Sequence, residues 1–137
     1  MHVTLELATG ARLVTAHREI PVSVTLGYDS ADPLAVRLRF PEHITADGKE
    51  ATWVFARSLL AEGLAAGGGI GNVRIRPQGP THTLVQLFTP QGVAVLRFDT
   101  RVLRRFLVRT HSVVAPAKEA VTVDLEHGLA TLFGGRA

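Results

Sequence analysis

The chain has 137 residues, 46% of them hydrophobic, 20% charged and 6% aromatic, and it has no cysteine. That balance describes one folded domain, 1–137, with a mainly aliphatic core. It excludes a disordered chain, a disulfide scaffold, thiol catalysis and thiolate metal sites. The start, Met1-His-Val-Thr-Leu-Glu6, lacks the basic-then-apolar pattern of a signal peptide, and no apolar run approaches the roughly 18 residues a membrane span requires. A soluble protein is expected, and the lack of disulfides is compatible with the cytosol.

Val3, Leu5 and Leu7 alternate with polar residues, the period of a half-buried strand that Gly10-Ala11 breaks or bends before Leu13-Val14. From Pro21, Val22, Val24 and Leu26 point one way in a second strand. Gly27 to Pro33 then reads as a turn, with Asp29 and Asp32 placed to bond nearby backbone. Leu34, Val36, Leu38 and Phe40 face inward in a third strand, with Arg37 and Arg39 outward. The polar loop from Pro41 to Lys49 contains the turn pair Asp47-Gly48. A fourth strand, Glu50 to Phe55, runs straight into a helix marked by Leu59, Leu60 and Leu64.

The glycine-rich run from Gly63 to Gly71 stops that helix and links it to a fifth strand, where Val73 and Ile75 face away from Arg74 and Arg76. Pro77 to Pro80 is a turn, and Leu84–Phe88 with Val93–Phe98 form a hairpin. Asp99 or Thr100 caps a second helix with an apolar stripe of Val102, Leu103, Phe106 and Leu107. Residues 121–133 have the spacing of a third, short amphipathic helix. Consecutive strands joined by short turns predict an α+β fold of about seven mainly antiparallel strands with two or three helices. The two strand-to-helix junctions also align: Phe55 with Phe98, Leu59 with Val102, Leu60 with Leu103 and Leu64 with Leu107. They read either as an internal repeat, 1–66 and 67–115, or as two amphipathic junctions with a common pattern.

No constellation for catalysis stands out. The six histidines, His2, His17, His43, His82, His111 and His127, show no ligand spacing, and Asp29 with Asp32 lacks the alternating ligands of a calcium loop. The glycine run follows a helix and opens a strand, the reverse of a phosphate loop, and contains no lysine. The reading is a non-enzyme with no cofactor and no metal. What remains is charge. Residues 1–66 carry six Lys or Arg against eight Asp or Glu; residues 67–137 carry nine against four, for a total of +3. Arg101, Arg104 and Arg105 share one side of the second helix, with Arg109 at its edge, and Arg74 and Arg76 share a strand face. These six arginines are the candidate partner-binding residues, for an acidic protein surface or phosphates, against the plainer reading of a solvated face.

Three segments carry a family resemblance: Leu26-Gly-Tyr-Asp-Ser-Ala-Asp-Pro-Leu-Ala-Val36, Trp53-Val-Phe-Ala-Arg-Ser-Leu-Leu-Ala-Glu-Gly-Leu64 and Phe106-Leu-Val-Arg-Thr110, with a weaker echo in Gly71-Asn-Val-Arg-Ile-Arg-Pro77. Together they resemble the SsgA-like proteins, sporulation and cell-division regulators of filamentous actinomycetes, from about residue 20 to 133. The resemblance implies a non-catalytic protein at the division septum that partners its own relatives and helps localise and assemble the tubulin-like protein FtsZ. It also implies a Whirly-like fold of two antiparallel sheets with helices, assembled as a trimer. Folds of that type bind single strands, so single-stranded nucleic-acid binding is the alternative. The basic balance departs from the family's acidic one. No catalytic motif comes with the resemblance, and its shared residues read as turn formers, core residues and a helix stop.

Overall fold

The alternating segments fold as strands because each places its apolar residues on one side and its polar residues on the other. The computed structural model describes residues 2–45, 47–69 and 71–116. β1 (Thr4–Val14), β2 (Glu19–Asp29), β3 (Ala35–Phe40) and β4 (Ala51–Ala56) follow one another as a meander, and β4 passes without a break into α1 (Arg57–Ala65). β5 (Val73–Gln78), β6 (His82–Thr89) and β7 (Gly92–Asp99) form a second meander that runs into α2 (Thr100–Val113). The expected helix at 121–133 lies outside the described residues. Among the described residues no helix is long and apolar enough to cross a membrane.

Hydrogen bonding joins all seven strands in one antiparallel sheet, in the order β4-β3-β2-β1-β7-β6-β5, where two sheets were expected. The reason is the length of β1. Its 11 residues pair with β2 throughout, and its last three, Arg12, Leu13 and Val14, also pair with Arg97, Leu96 and Val95 of β7. This three-residue seam joins two meanders that curl toward each other. Their inner faces meet in the core: Val24, Leu26, Val36, Leu38 and Phe55 from one, and Ile75, Val85, Leu87, Leu96 and Phe98 from the other. Leu60, Leu64, Leu103 and Phe106 cover it from the helices. As the composition implied, this core is mostly aliphatic.

The second strand outruns its expected end. Tyr28 continues the inward series of Val22, Val24 and Leu26 and is only 1% exposed, so the turn is shorter than Gly27–Pro33. The aspartates act as turn formers: the Ala31 N–H donates to the Asp29 carboxylate at 2.8 Å, and the Asp32 N–H to the Asp29 carbonyl at 2.9 Å. At the second junction Asp99, not Thr100, is the N-cap, accepting from the Arg101 N–H at 2.9 Å. Thr100 is instead buried, its hydroxyl 2.8 Å from that of Thr83.

Gly63 lies inside α1, where the helix crosses β5. A Cβ there would stand 2.4 Å from the Ile75 side chain, closer than any carbon pair tolerates. After α1 the chain turns back at Gly67 and Gly69, both with positive φ, and Gly68 exchanges two backbone hydrogen bonds with Ile75. Gly63→Ala is therefore expected to force α1 off the sheet and destabilise the protein by about 1–3 kcal/mol. Gly10→Ala, where a Cβ meets nothing within 4 Å, serves as the neutral control. Equal denaturation midpoints for the two variants would refute the close-contact account.

Candidate functional site

One buried cation ties the fold together at its helical end. Arg57 continues the inward period of Trp53 and Phe55 and opens α1; it is 0% exposed. Its backbone N–H donates to the Leu34 carbonyl at 2.8 Å. Its Nη1 donates to two carbonyls at the end of α2, Thr110 at 3.0 Å and Val114 at 2.7 Å. They stand at the negative end of a helix dipole, where the Thr110 carbonyl also accepts the Val114 N–H at 2.9 Å, so a guanidinium there adds charge-assisted bonds and offsets the dipole. The guanidinium also lies 5.2 Å from the centre of the Tyr28 ring. Tyr28 in turn donates its hydroxyl proton to the Pro33 carbonyl at 3.0 Å, and the Thr110 hydroxyl donates to the Leu107 carbonyl at 2.7 Å.

The cluster gathers the three segments singled out in the sequence: Tyr28 and Pro33 from the first, Arg57 from the second, Thr110 from the third. Sequence reasoning placed Tyr28, Pro33 and Arg57 among structural residues but missed that they and Thr110 form one cluster. The available signal was a charged residue on the inward phase of Trp53 and Phe55.

The six candidate arginines divide between two surfaces. Arg101, Arg104, Arg105 and Arg109 are all exposed on the outer side of α2, around Val108, which is 62% exposed. Arg101 pairs with Asp99 at 3.3 Å; Arg104, Arg105 and Arg109 have no ion pair among the described residues. The Asp99 carboxyl is held below the usual carboxylate range by its side-chain and backbone bonds with Arg101, and Arg101 is raised by the same contact. Arg74 and Arg76 leave the sheet opposite Val73 and Ile75, whose side chains face the core. Arg74 stands 5.0 Å from the centre of the Phe88 ring. On the outer face of the other meander the charges are mutually paired, Arg37 with Asp32 at 2.9 Å and Arg39 with Glu6 at 3.2 Å. The helix α2 thus presents a cationic patch in which, among the described residues, only Arg101 has an ion-pair partner.

Elsewhere the chemistry is sparse. Among the described residues no group of three or more His, Asp or Glu stands together to hold a metal ion. A cleft of about 430 Å³ opens where β1 and β7 diverge, lined by Arg12, His82, Arg97 and Asp99 among others, but Arg97 is bonded to Glu19 and Asp99 to Arg101. A second, apolar groove of about 300 Å³ lies between the meanders, against Leu13, Phe40, Ile44 and Trp53. Neither aligns a nucleophile with a base.

Residues 22–119 match the family model described as Streptomyces sporulation and cell division protein, SsgA. The sporulation-specific cell division protein SsgB of Salinispora tropica is 39% identical over 97% of this chain and 95% of its own length. That of Streptomyces coelicolor is also 39% identical, over 97% and 98%. Two solved structures share the architecture. One, from work relating SsgB mutations to longitudinal cell division during sporulation of Streptomyces coelicolor, superposes with a TM-score of 0.76 at 38% identity over 88% of this chain and 95% of that one. The other, an SsgA-like sporulation-specific cell division protein from Thermobifida fusca, gives 0.77 at 30% identity over 94% and 95%.

Two predictions test the cluster and the cap. Arg57→Ala strips the donor from the Thr110 and Val114 carbonyls and opens a cavity, and is expected to cost about 3 kcal/mol or more in denaturant unfolding; Arg104→Ala, on the exposed face, is expected to cost almost nothing. Asp99→Asn keeps a capping oxygen and loses the charge. Because the folded carboxyl is held low, its contribution is complete above the ordinary carboxylate value and is lost as pH falls through the lowered one. The variant is expected to melt below the parent at pH 7, the gap closing toward pH 2; a gap constant with pH would rule out the charge as its source.

Proposed function

The chain belongs to the SsgA family of sporulation and cell-division proteins, and from that premise we propose that it is a non-catalytic regulator that helps recruit or assemble the FtsZ division machinery at the septum. The observation that carries the reading is the family membership over nearly the whole chain. The exposed arginine face of α2 supplies the surface: Arg101, Arg104, Arg105 and Arg109 offer guanidinium forks to carboxylates of an acidic partner, with Val108 at their centre for apolar contact. The protein acts in the cytoplasm, as a homo-oligomer of the trimeric kind that the family resemblance implies, alongside other SsgA-like proteins. Two meanders, each closed by a helix, support the likeness to Whirly folds.

A second reading has its own observation. Arg74 lies over Phe88 on the outer sheet face beside Arg76, a pairing of cation and ring of the type that stacks single-stranded bases. Because that binding releases counterions, its affinity would fall steeply with salt.

Co-sedimentation with polymerising FtsZ, repeated with single-stranded DNA as competitor and across a salt series, separates the two. The protein is expected to pellet with polymer, undisplaced by DNA. The combined change Arg101→Glu, Arg104→Glu, Arg105→Glu is expected to reduce pelleting at least tenfold with the melting temperature little changed. Pelleting that survives the charge reversal retires α2 as the interface. A protein left in the supernatant that retards DNA at low salt overturns the recruitment reading in favour of the second.

A further inference from the structure

At the seam between the meanders the chain sets two like charges face to face. β1 meets β7 through Arg12, Leu13 and Val14 alone, and Arg12 stands directly opposite Arg97. Ala11, Leu13, Leu96 and Phe98 take the core side of these strands, so both arginines lie on the outer face. Like charges directly opposite each other cost stability unless something answers them. Glu19, bonded to Arg97, answers one, and the Arg97 side chain is only 23% exposed. Arg12 is exposed and has no ion pair among the described residues.

Past Arg12 the strands diverge into the cleft of about 430 Å³. The Ser30 N–H donates to the Val3 carbonyl and the Thr15 N–H to the Arg18 carbonyl, so odd residues of β1 bond to β2 and even ones turn toward β7. Arg12 and Val14 find Arg97 and Val95 on that side. Gly10, next in the same series, has no strand opposite it, and its N–H opens on the cleft that it lines. Gly10 and its ladder partner Ser23 leave this part of the cleft free of bulky side chains. His82 stands on the far bank beside Arg97, with its Nδ1 3.0 Å from the Thr81 hydroxyl.

We propose that this cleft binds a compact oxyanion, either free phosphate or the phosphate group of a small monoester. Its donors come from both banks, Arg12 on one and Arg97 and His82 on the other. That arrangement suits the several oxygens of a tetrahedral ion better than the flat pair of a carboxylate. The bound charge would offset the repulsion between the two arginines. The volume is that of a small-ligand pocket. A nucleic-acid strand fits poorly, because Glu19 and Asp99 at the margins would repel the phosphates on either side of the bound one. Binding here is independent of FtsZ.

Thermal melting and amide NMR of the full chain, titrated with inorganic phosphate or adenosine monophosphate against chloride at equal ionic strength, test this site. Phosphate is expected to raise the melting temperature along a saturating curve, with the Gly10 N–H resonance moving on the same curve. Adenosine monophosphate binding tighter than phosphate supports the site as one for an ester; the reverse order supports it as one for the free ion. Arg12→Glu is expected to weaken the affinity by about tenfold or more, while the melting temperature in chloride does not fall. Should that variant fail to fold, Gly10→Leu, which adds a side chain where a Cβ meets nothing within 4 Å, is expected to block binding and decides in its place. Equal curves in phosphate and chloride, a Gly10 resonance that stays put, an affinity untouched by the variants, or binding of single-stranded DNA alone overturns the proposal.

Discussion

A guanidinium with no exposure to solvent is among the costliest groups a fold can bury, and it persists only where hydrogen bonds and ring contacts offset that cost. Arg57 meets that condition by crossing from the first turn of α1 to the last carbonyls of α2, with the Tyr28 ring beneath it. It therefore fixes three things at once: where β4 stops being a strand, how α1 and α2 lie against each other, and where the β2–β3 turn closes. An arginine suits this role where a lysine does not, because its planar fork reaches two carbonyls from one nitrogen while its face stacks on a ring. Moving any one of the three segments would strand the charge or the carbonyls it serves.

The sheet depends on a second constraint, that of contact distance. One curled sheet with helices at one end requires α1 to lie directly on β5, and Gly63 over Ile75 permits that approach. The glycines after it then fold the chain back along β5, so that one edge of the sheet is sealed by the same segment that ends the helix. The other edge, at β4, runs directly into α1 and has no such backbone partner among the described residues.

Surface charge follows the same division. The outer face of the first meander pairs its arginines with its own acids, whereas α2 carries a cluster that the described residues do not answer. Four of the nine Lys or Arg of residues 67–137 thus share the exposed side of one helix, a form suited to long-range electrostatic steering. Among the described residues, neither of the two clefts aligns a nucleophile with a base.

Much of this was written in the order of residues. Period-2 alternation located each strand, the change to helical spacing located both junctions, and the i, i+3, i+4 arginines shared an exposed face as their spacing required, because these features depend only on neighbours along the chain. The family was legible too, in the Tyr28, Trp53–Gly63 and Phe106–Thr110 segments. What spacing did not carry was distance. That two meanders share one sheet depends on three residues of β1 meeting β7 some eighty positions later, and that Arg57 is buried depends on carbonyls 53 and 57 residues away. Local sequence sets which face a residue takes; only the closed tertiary structure decides what stands opposite that face, since burial and hydrogen bonding are settled by atoms from distant parts of the chain.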